Sequence, residues 1–396
     1  MSKTDFARTD TIIFMGGITA LTAVSVDIVL PSTGLVARTF GVEERMGAML
    51  VGVYFIAYAI GQLFWGLYSD AFGRRKALVI SLSGFTLASL ACALAPSFQL
   101  LIVARFAQGL MGGAPIIARA MVRDVAQGEE AARLMTTLGA ILTVAAMFAP
   151  VLGSGLLVLF SWRAIFVALT VLSLTFITYT VFALKETGGA LRPERFSLRF
   201  LVHAARTLLG NSQFLIPMLS GSFTFGGYAS VGALGAIVTE ARYGIDPEAF
   251  GALFTLAALT VTGGALLAGQ LLKRRTLRQV GTIALSLLAL GAAVNLWAGL
   301  SEPGLKPFWG AVCLYVLAFG MIFPTAMAAA MEPAGDMPGF AASVMGAFQM
   351  LMGAFGAWVA TSLYDGDHSA ISLTMAGFGA MAVLVFVTGR TLRRQY

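Results

Sequence analysis

The chain has 396 residues, of which 58% are hydrophobic and only 11% are charged, and its mean hydropathy is +0.85. Soluble domains are nearer to half apolar, so this composition excludes an ordinary soluble protein. Apolar stretches of about 20 residues recur along the whole length, and none alternates as the strands of a membrane barrel do. The composition therefore predicts an all-α integral membrane protein.

The apolar runs between charged or Pro/Gly-rich breaks predict twelve membrane-crossing helices. In chain order these cover residues 11–36, 46–68, 76–95, 99–121, 134–158, 163–184, 213–240, 248–272, 278–299, 307–330, 340–363 and 369–390. No small-residue cleavage site follows the first apolar run, so we expect helix 1 to be retained. Cys92 and Cys313 both lie in apolar runs and predict neither a disulfide nor a metal site.

The net charge of +7 is explained by topology. Nineteen of the 26 Lys and Arg residues fall in the two termini and the loops on their side of the twelve helices, and five fall in the opposite loops. Basic residues stay in the cytoplasm during insertion, so we expect both termini to be cytoplasmic. No nucleic-acid partner is needed to explain the basic surplus.

The longest polar stretch divides the helices into six and six. We expect a six-helix bundle over residues 1–184, a cytoplasmic linker over 185–212, and a second six-helix bundle over 213–396. Within the linker, Phe196, Leu201 and Leu208 lie near one helical face, and Arg199 and Arg206 lie around the other. This pattern predicts an amphipathic helix on the inner membrane surface, most simply a plain linker.

The two halves match weakly at an offset of 203 positions. The segment 61-GQLFWG-66 corresponds to 264-GALLAG-269, and Asp70 corresponds to Lys273. In helices 5 and 11, Pro150 and Gly153 correspond to Gly353 and Gly356. Two six-helix repeats are typical of transporters, whose substrate site lies between the repeats.

Four segments resemble motifs of the major facilitator superfamily. The loop 66-GLYSDAFGRRK-76 resembles G-x-x-x-D-[RK]-x-G-R-[RK], with Gly66, Asp70, Gly73, Arg74 and Arg75 matching and Ala71 replacing a base. The segment 25-SVDIVLPS-32 is similar to the D-x-x-x-P signature of drug:proton antiporters, and 105-RFAQGLMGG-113 is similar to R-x-x-Q-G. The segment 149-APVLGSG-155 is similar to G-P-x-x-G-G, with Ala149 and Ser154 replacing glycines. Together with 119-RAMVRD-124, 319-FGMIFP-324 and 341-AASVMGAFQMLMG-353, they look most like the bicyclomycin and chloramphenicol resistance (Bcr/CflA) branch.

The resemblance implies two pseudo-symmetric six-helix bundles in a bacterial inner membrane. It also implies that the cluster in the loop between helices 2 and 3 acts as a latch that favours the state closed to the cytoplasm. Physically, the Asp70 carboxylate can accept hydrogen bonds from free N–H groups at the start of helix 3 and pair with a nearby arginine. A fixed topology anchor with no switching role is the alternative.

Asp27 and Arg105 lie inside the membrane, at roughly equal depths of about 10 Å and 9 Å, at 1.5 Å per residue. Burial would favour the neutral form of Asp27, and a nearby Arg105 would favour the charged form, so the carboxyl could bind and release a proton. A static buried ion pair is the alternative. The two histidines, His203 and His368, fall in predicted loops, so we expect no buried imidazole to carry the proton.

Further residues are predicted to line a central cavity. Arg119 follows Arg105 by fourteen positions, which on a regular helix places both near one face; it either contacts substrate or extends to the inner interface. Pro150 and Gly153 are expected to bend and thin helix 5 where the halves approach. The remaining candidates are apolar, aromatic or amide side chains, each also explicable as bundle packing: Tyr54, Tyr58, Met111, Met147, Phe223, Phe225, Tyr228 and Gln349.

These patterns predict a proton-coupled exporter of small amphipathic compounds, mostly neutral or zwitterionic and phenicol- or bicyclomycin-like, working by alternating access. The expected partners are the substrate, protons and the lipid bilayer, with no cofactor or metal and with a monomeric chain. No phosphate-binding G-x-x-x-x-G-K-[ST] loop is present for an ATP-driven pump, and the intramembrane charges offer no nucleophile or metal cluster for an enzyme. A proton-coupled metabolite or siderophore transporter and a non-transporting receptor or scaffold stay open as alternatives.

Overall fold

A computed structural model describes residues 9–126, 128–187, 193, 196–335 and 338–392. Both chain ends and residues 188–192, 194 and 195 of the predicted linker lie outside the described residues. Twelve described helices are long and apolar enough to cross a membrane. They are α1 (Asp10–Thr39), α2 (Glu44–Phe72), α3 (Arg74–Leu94), α4 (Phe98–Val125), α5 (Arg133–Leu159), α6 (Trp162–Phe182), α7 (Ser212–Tyr243), α8 (Pro247–Leu272), α9 (Leu277–Gly299), α10 (Leu305–Ala334), α11 (Gly339–Leu363) and α12 (Ser369–Gly389). The predicted all-α fold of twelve spanning helices is confirmed.

The first spanning helix is interrupted in its second half. A regular helix covers Thr9–Asp27, a single 3-10 turn covers Leu30–Ser32, and the helix resumes over Thr33–Thr39. Pro31 in the turn has no N–H to donate to the carbonyl of Asp27 four residues earlier, which ends the regular helix there. The interruption therefore places the Asp27 side chain at a helix end inside the span.

The fourth spanning helix is interrupted as well, between Phe98–Leu110 and Ala114–Val125. The glycine pair before Pro115 allows the break, and Ser81 of α3 stabilises it: the Ser81 hydroxyl donates to the carbonyl of Met111 at 2.8 Å and accepts from the N–H of Gly113 at 3.1 Å. The expectation that Arg105 and Arg119 share a face assumed one continuous helix, so that reasoning was wrong.

The two halves meet mainly along two pairs of helices, α2 with α11 and α5 with α8, and α7 also contacts α1 and α2. The contact of α2 with α11 extends through most of the membrane: a Cβ atom on Gly52 would lie 3.9 Å from Ala357, and one on Gly66 would lie 3.1 Å from the hydroxyl of Ser343. We call the membrane side that carries the linker helix the linker side and the opposite side the distal side.

The linker helix covers Leu198–Leu209 and packs on the protein. Ala204 and Leu208 are buried, and Leu208 belongs to the hydrophobic core of the second half. The ring of Phe196, just before the helix, packs edge-on against Tyr68 and Phe72 of α2. The predicted apolar face thus contacts α2 and the second half in part, and its position at the membrane surface stays a prediction.

Candidate functional site

Asp27 is half-buried at the end of the first segment of α1. It makes no ion pair and no side-chain hydrogen bond with any residue that the structure describes. Its carboxyl lies close enough to the hydroxyl of Tyr228, on α7 of the other half, for the two groups to interact electrostatically. The acid therefore lies at the junction of the two halves without a fixed partner.

Arg105 is fully buried in α4. Its guanidinium donates to the carbonyl oxygens of Leu50 and Ser25, at 3.1 and 3.2 Å, and to the side-chain oxygen of Gln108 at 2.6 Å. The Gln108 amide in turn donates to the hydroxyl of Ser89 at 2.7 Å. Gln108 belongs to the R-x-x-Q-G motif, but the sequence reasoning did not select it as a site residue.

The predicted contact between Asp27 and Arg105 is absent from this conformation. No described carboxylate pairs with the guanidinium, and its acceptors are neutral oxygens. A buried charge without a counterion carries a desolvation cost of several kcal/mol. The site therefore holds a buried cation and a half-buried acid that do not neutralise each other.

Two neighbouring hydroxyl groups, those of Tyr54 and Ser25, lie beside Arg105. The guanidinium carbon lies 4.5 Å above the ring of Tyr54, a cation–π arrangement. The hydroxyl groups of Tyr54 and Ser25 and the Nη2 atom of Arg105 are buried without a hydrogen-bond partner among the described residues. Three groups from α1, α2 and α4 thus leave hydrogen-bonding capacity unused beside one buried charge.

Arg119 lies in the second segment of α4 and is half-buried. It interacts electrostatically with Tyr58 of α2, whose hydroxyl lies 3.3 Å from the hydroxyl of Thr22, and also with Arg123 one turn further along α4. It makes no ion pair with a described residue, so a second unmatched cation lies on the linker side of Arg105.

Aromatic rings from both halves meet at the centre. The ring of Phe225 in α7 lies 5.6 Å from the ring of Phe55 in α2 and 5.8 Å from that of Phe319 in α10. Phe319 stacks on Tyr228 with 5.3 Å between ring centroids. The sequence selected Phe225 and Tyr228 but missed Phe55 and Phe319, because apolar rings in spanning helices look alike until the packing is known.

The other predicted lining residues lie in different surroundings. The side chain of Met111 packs against Gly84 of α3 in the core of the first half, and Phe223 packs against Phe378 of α12. Met147 lies in α5 and accepts a hydrogen bond at its carbonyl from Thr255 of α8. Gln349 is buried in α11. Met111 and Phe223 are thus packing residues here, the alternative that the sequence left open.

In α5, Pro150 and Ser154 contact the other half, whereas Gly153 contacts α1. The hydroxyl of Ser154 donates to the carbonyl of Pro247 at 3.3 Å, and a Cβ atom on Gly251 would lie 2.6 Å from the carbonyl of Pro150. A Cβ atom on Gly153 would lie 2.1 Å from the carbonyl oxygen of Ile28, beside Asp27. The glycine therefore lets α5 pack directly against the interruption in α1.

The charged cluster between α2 and α3 is more connected than predicted. Arg74 pairs with Asp70 and, at 2.8 Å, with Asp124 of α4. Glu186, which follows α6, accepts hydrogen bonds from the backbone N–H groups of Arg74 and Arg75 at 2.9 and 3.1 Å. These N–H groups were expected to bind Asp70; Glu186 binds them instead.

Two other motif residues shape the same turn. Gly73 adopts a φ of 100°, a left-handed conformation that favours glycine, and it separates α2 from α3. The Arg75 side chain donates to the carbonyls of Thr180 and Val181 at the end of α6. Asp124 lies in the quoted segment 119-RAMVRD-124, but its partner could not be read from spacing.

The distal side is closed by contacts between the halves. Arg38, near the end of α1, contacts Glu240 of α7 with both terminal nitrogens, at 2.9 and 3.1 Å, and also pairs with Glu44 at 3.0 Å. Close by, a Cβ atom on Gly34 would lie 3.3 Å from Ile237.

The expectation that neither histidine is buried was wrong for His368. Its side chain is fully buried just before α12, with Nδ1 2.6 Å from the Asp367 carboxylate and Nε2 2.9 Å from the carbonyl of Ala298. Burial would raise the pKa of Asp367, but hydrogen bonds from the His368 backbone and ring, together with the charges of His368 and Arg242, hold it below the ordinary value. This cluster lies at the distal end of the second half, away from Asp27.

Twelve spanning helices in two six-helix halves, with unmatched charged groups between them, define a membrane transporter of small molecules. A sequence model described as Major Facilitator Superfamily matches residues 14–357, most of the chain. The chain belongs to the Major Facilitator Superfamily.

Known proteins of similar sequence and structure agree with this membership. The chain is 27% identical over 387 residues to a bicyclomycin resistance protein homolog of Haemophilus influenzae, covering 96% of this chain and 97% of that protein. It is 27% identical over 365 residues to multidrug resistance protein D of Escherichia coli, covering 91% and 90%. The solved structure of the nucleoside transporter NupG superposes with a TM-score of 0.73 at 14% identity, covering 96% and 98%. At that identity, the structural likeness shows the fold alone.

Proposed function

We propose that the chain is a proton-coupled multidrug efflux transporter. It exports small amphipathic compounds that are mostly neutral or zwitterionic, phenicol- or bicyclomycin-like, in exchange for protons. The resistance proteins that resemble the chain over most of their length support the efflux role. The asymmetric distribution of Lys and Arg supports an inner-membrane orientation with the linker side and both termini in the cytoplasm.

The observation that carries the proposal is the separation of Asp27 from Arg105. An acid without a fixed partner can be neutralised by a proton, because a neutral carboxyl avoids the cost of a buried charge. In the ionised form, the carboxylate could be compensated by Arg105, a cation that this conformation holds by neutral oxygens. The desolvation cost of an ionised Asp27 can therefore be relieved in two alternative ways. The carboxyl can take up a proton, or a rearrangement can bring Arg105 nearer to it.

The geometry also supports alternating access. Arg38 and Glu240 close the distal side, while Arg74, Asp70 and Asp124 hold α2, α3 and α4 together on the linker side. The Arg38–Glu240 pair is about a third exposed and contributes roughly 1 kcal/mol or less, so it can break and re-form in a transport cycle. With Asp27 protonated, Arg105 and Arg119 disfavour dicationic substrates, and the aromatic centre suits apolar rings.

The test uses inside-out vesicles acidified by respiration. Phenicols, bicyclomycin, dyes and amino acids are added in turn, and loss of protons from the lumen is recorded for wild type and Asp27→Asn. Substrate-dependent proton loss that disappears with Asp27→Asn is the expected result. Asp246→Asn, at an exposed acid before α8, is the control and should behave as wild type.

Proton loss that persists in Asp27→Asn would eliminate this residue as the proton carrier. A folded protein that gives no proton movement with any compound would favour the metabolite or siderophore transporter.

A further inference from the structure

A second cavity, separate from the site of Asp27 and Arg105, lies on the linker side of the second half. Its volume is about 930 Å³, and it lies between α7, α9, α10 and α12. Its lining includes no residue of α1, α2, α4 or α5 among those that the structure describes. The lining of α10 extends from Ile322 to Glu332, about 15 Å at 1.5 Å per residue, or half the thickness of the hydrocarbon core.

The walls and the mouth of this cavity differ in chemistry. Apolar side chains such as Ile216, Leu285 and Phe386 line the interior. Thr276 and Arg278 lie at the mouth and also line an adjoining depression of about 490 Å³ with Arg275. The combination suits a molecule with an apolar tail and a charged head.

Two cations, Arg275 and Arg278, lie at the mouth, and Lys273 and Arg274 directly precede them in the chain. All are exposed, and none forms an ion pair or a side-chain hydrogen bond with a described residue. The start of α9 adds the positive end of a helix dipole. Glu332 is the single acid in the described lining, and it does not pair with any of the four. The mouth is therefore complementary to an anion.

In the corresponding loop of the first half, two of the three bases have fixed side-chain partners, and Lys76 is exposed beside the ring of Phe72. Arg74 pairs with Asp70 and Asp124, and Arg75 donates to backbone carbonyls. At the repeat offset of 203 positions, Lys273 takes the place of Asp70, so the second half replaces an acid of the cluster with a further base. Topology alone would explain basic residues in both loops, but it does not explain why the arginines of the second loop, unlike Arg74 and Arg75, have no side-chain partner among the described residues.

The two halves also differ in how completely side chains fill the equivalent region of their interiors. Phe14 and Leu78 are buried in one hydrophobic cluster of the first half. The same offset carries them to Pro217 and Gly281, which both line the cavity. Two large side chains are thus replaced by small residues where the second half is hollow.

We propose that this cavity binds an anionic phospholipid of the inner leaflet, with its phosphate at Arg275 and Arg278 and an acyl chain between α7, α9, α10 and α12. Basic pockets between spanning helices on the cytoplasmic side suit anionic headgroups. The inference uses the orientation proposed above but does not depend on the transported substrate. A bound lipid would stabilise the packing of α9 and α12 against α7 and α10.

The test is native mass spectrometry of the delipidated full chain with phosphatidylglycerol or phosphatidylcholine of identical acyl chains. Wild type should retain phosphatidylglycerol preferentially. The double variant Arg275→Gln/Arg278→Gln should weaken that binding about 25-fold, since each basic residue near an anionic surface contributes roughly fivefold. Arg206→Gln, at an exposed base of the linker helix, is the charge control and should bind as wild type.

A second pair of variants tests the tail. Gly281→Leu restores the leucine of the first half and has open space around its Cβ position, so it should fold and block the acyl chain. The Cβ position of Gly377 also has open space around it, but this residue lies outside the cavity lining, so the Gly377→Leu variant should bind lipid as wild type does. All variants are checked for a monodisperse folded state before lipid is added.

Equal retention of the two lipids, or unchanged binding by both the double variant and Gly281→Leu, would overturn the proposal. Displacement of the lipid by millimolar inorganic phosphate would overturn the acyl-chain component and leave only an anion site. These readouts contain no transport step, so their failure is distinguishable from a failure of the proposed efflux function.

Discussion

Arg38 and Glu240 join the two halves on the distal side through a two-nitrogen ion pair, with N–O distances of 2.9 and 3.1 Å. The arginine is on α1 and the glutamate on α7, so the pair exists only when the distal ends of these helices are together. In this conformation it is supported by the pair of Arg38 with Glu44.

Removing this pair should shift the protein toward a state open on the distal side. Both side chains are about a third exposed, at 37% and 29%, so the pair contributes about 1 kcal/mol or less. Arg38→Ala should therefore raise the distally open fraction by up to about fivefold. Electron–electron double resonance between nitroxides at Thr39 and Ala241 measures this fraction. Arg45→Ala is the control, since Arg45 pairs with Glu43 of the same half, and an equal shift in both variants would contradict the assignment.

Tyr54 offers a test of the unsatisfied groups around Arg105. Tyr54→Phe removes a buried hydroxyl that lies near the Ser25 hydroxyl without ordinary hydrogen-bond geometry, and it keeps the ring under the guanidinium, so thermal stability in detergent should be unchanged or higher. Tyr54→Leu removes the ring as well and should lower stability by about 1–2 kcal/mol through the lost cation–π contact. A large loss of stability in Tyr54→Phe would show that the hydroxyl has a partner in the folded protein.

Gly153 and Gly155 form a matched pair in α5. A Cβ atom on Gly153 would lie 2.1 Å from the backbone carbonyl of Ile28, which cannot move without shifting α1, whereas one on Gly155 meets nothing within 4 Å. Gly153→Ala should therefore destabilise the protein by about 1–3 kcal/mol. Gly155→Ala should be neutral or stabilising by up to about 1 kcal/mol, because alanine favours the helix.

Thermal or denaturant unfolding in detergent compares the two glycine variants. Because Ile28 adjoins Asp27, Gly153→Ala should also reduce proton-coupled transport more than Gly155→Ala does. Equal stability of the two variants would show that α5 does not pack against the interruption in α1.

Asp367 should stabilise the distal cluster in a pH-dependent way. Its pKa is held below the ordinary value of 3.8, so its contribution is complete above that pH and is lost as the pH falls through the lower pKa of the folded state. Asp367→Asn should lower stability at pH 7 by about 1 kcal/mol, a discounted value because the side chain is about a third exposed.

The difference between wild type and Asp367→Asn should narrow as the pH falls below about 4, and thermal unfolding at pH 7, 5 and 3.5 measures it. Glu302→Gln is the control, because Glu302 is 86% exposed and contacts Arg242 only at 3.4 Å. A difference that grows at low pH would show that Asp367 is neutral in the folded protein.

The twelve helices could be located from the sequence because each spanning segment must satisfy its own backbone hydrogen bonds in lipid. Because of this constraint, hydropathy and segment length are sufficient to locate a spanning helix, and the predicted bounds agree with the structure to within a few residues. The interruption of α1 was partly visible, since Pro31 cannot donate to Asp27. The break in α4 was missed, although 112-GGAP-115 contains two glycines and a proline.

The partners of charged residues could not be predicted in the same way. Asp27 and Arg105 have matching depths, yet Arg105 turns toward Leu50, Ser25 and Gln108, because depth restricts only one of the coordinates that a contact requires. The buried position of His368 was missed for a related reason. A histidine in a short loop is exposed by default, and only the packing of the distal loops around it decides otherwise.

The sequence by itself determined the membrane-spanning class, the number and bounds of the helices, and the chemistry of the motifs. These features are local, set by the length and polarity of each segment. Only the tertiary structure decided that Asp124 and Glu186 bind Arg74 and that Arg38 pairs with Glu240. It also decided that Gly281 lines a cavity of the second half, whereas Leu78, at the equivalent position of the first half, is buried in a hydrophobic cluster. These relationships join residues far apart in the chain, and they depend on how the helices rotate and pack against each other, which no local pattern specifies.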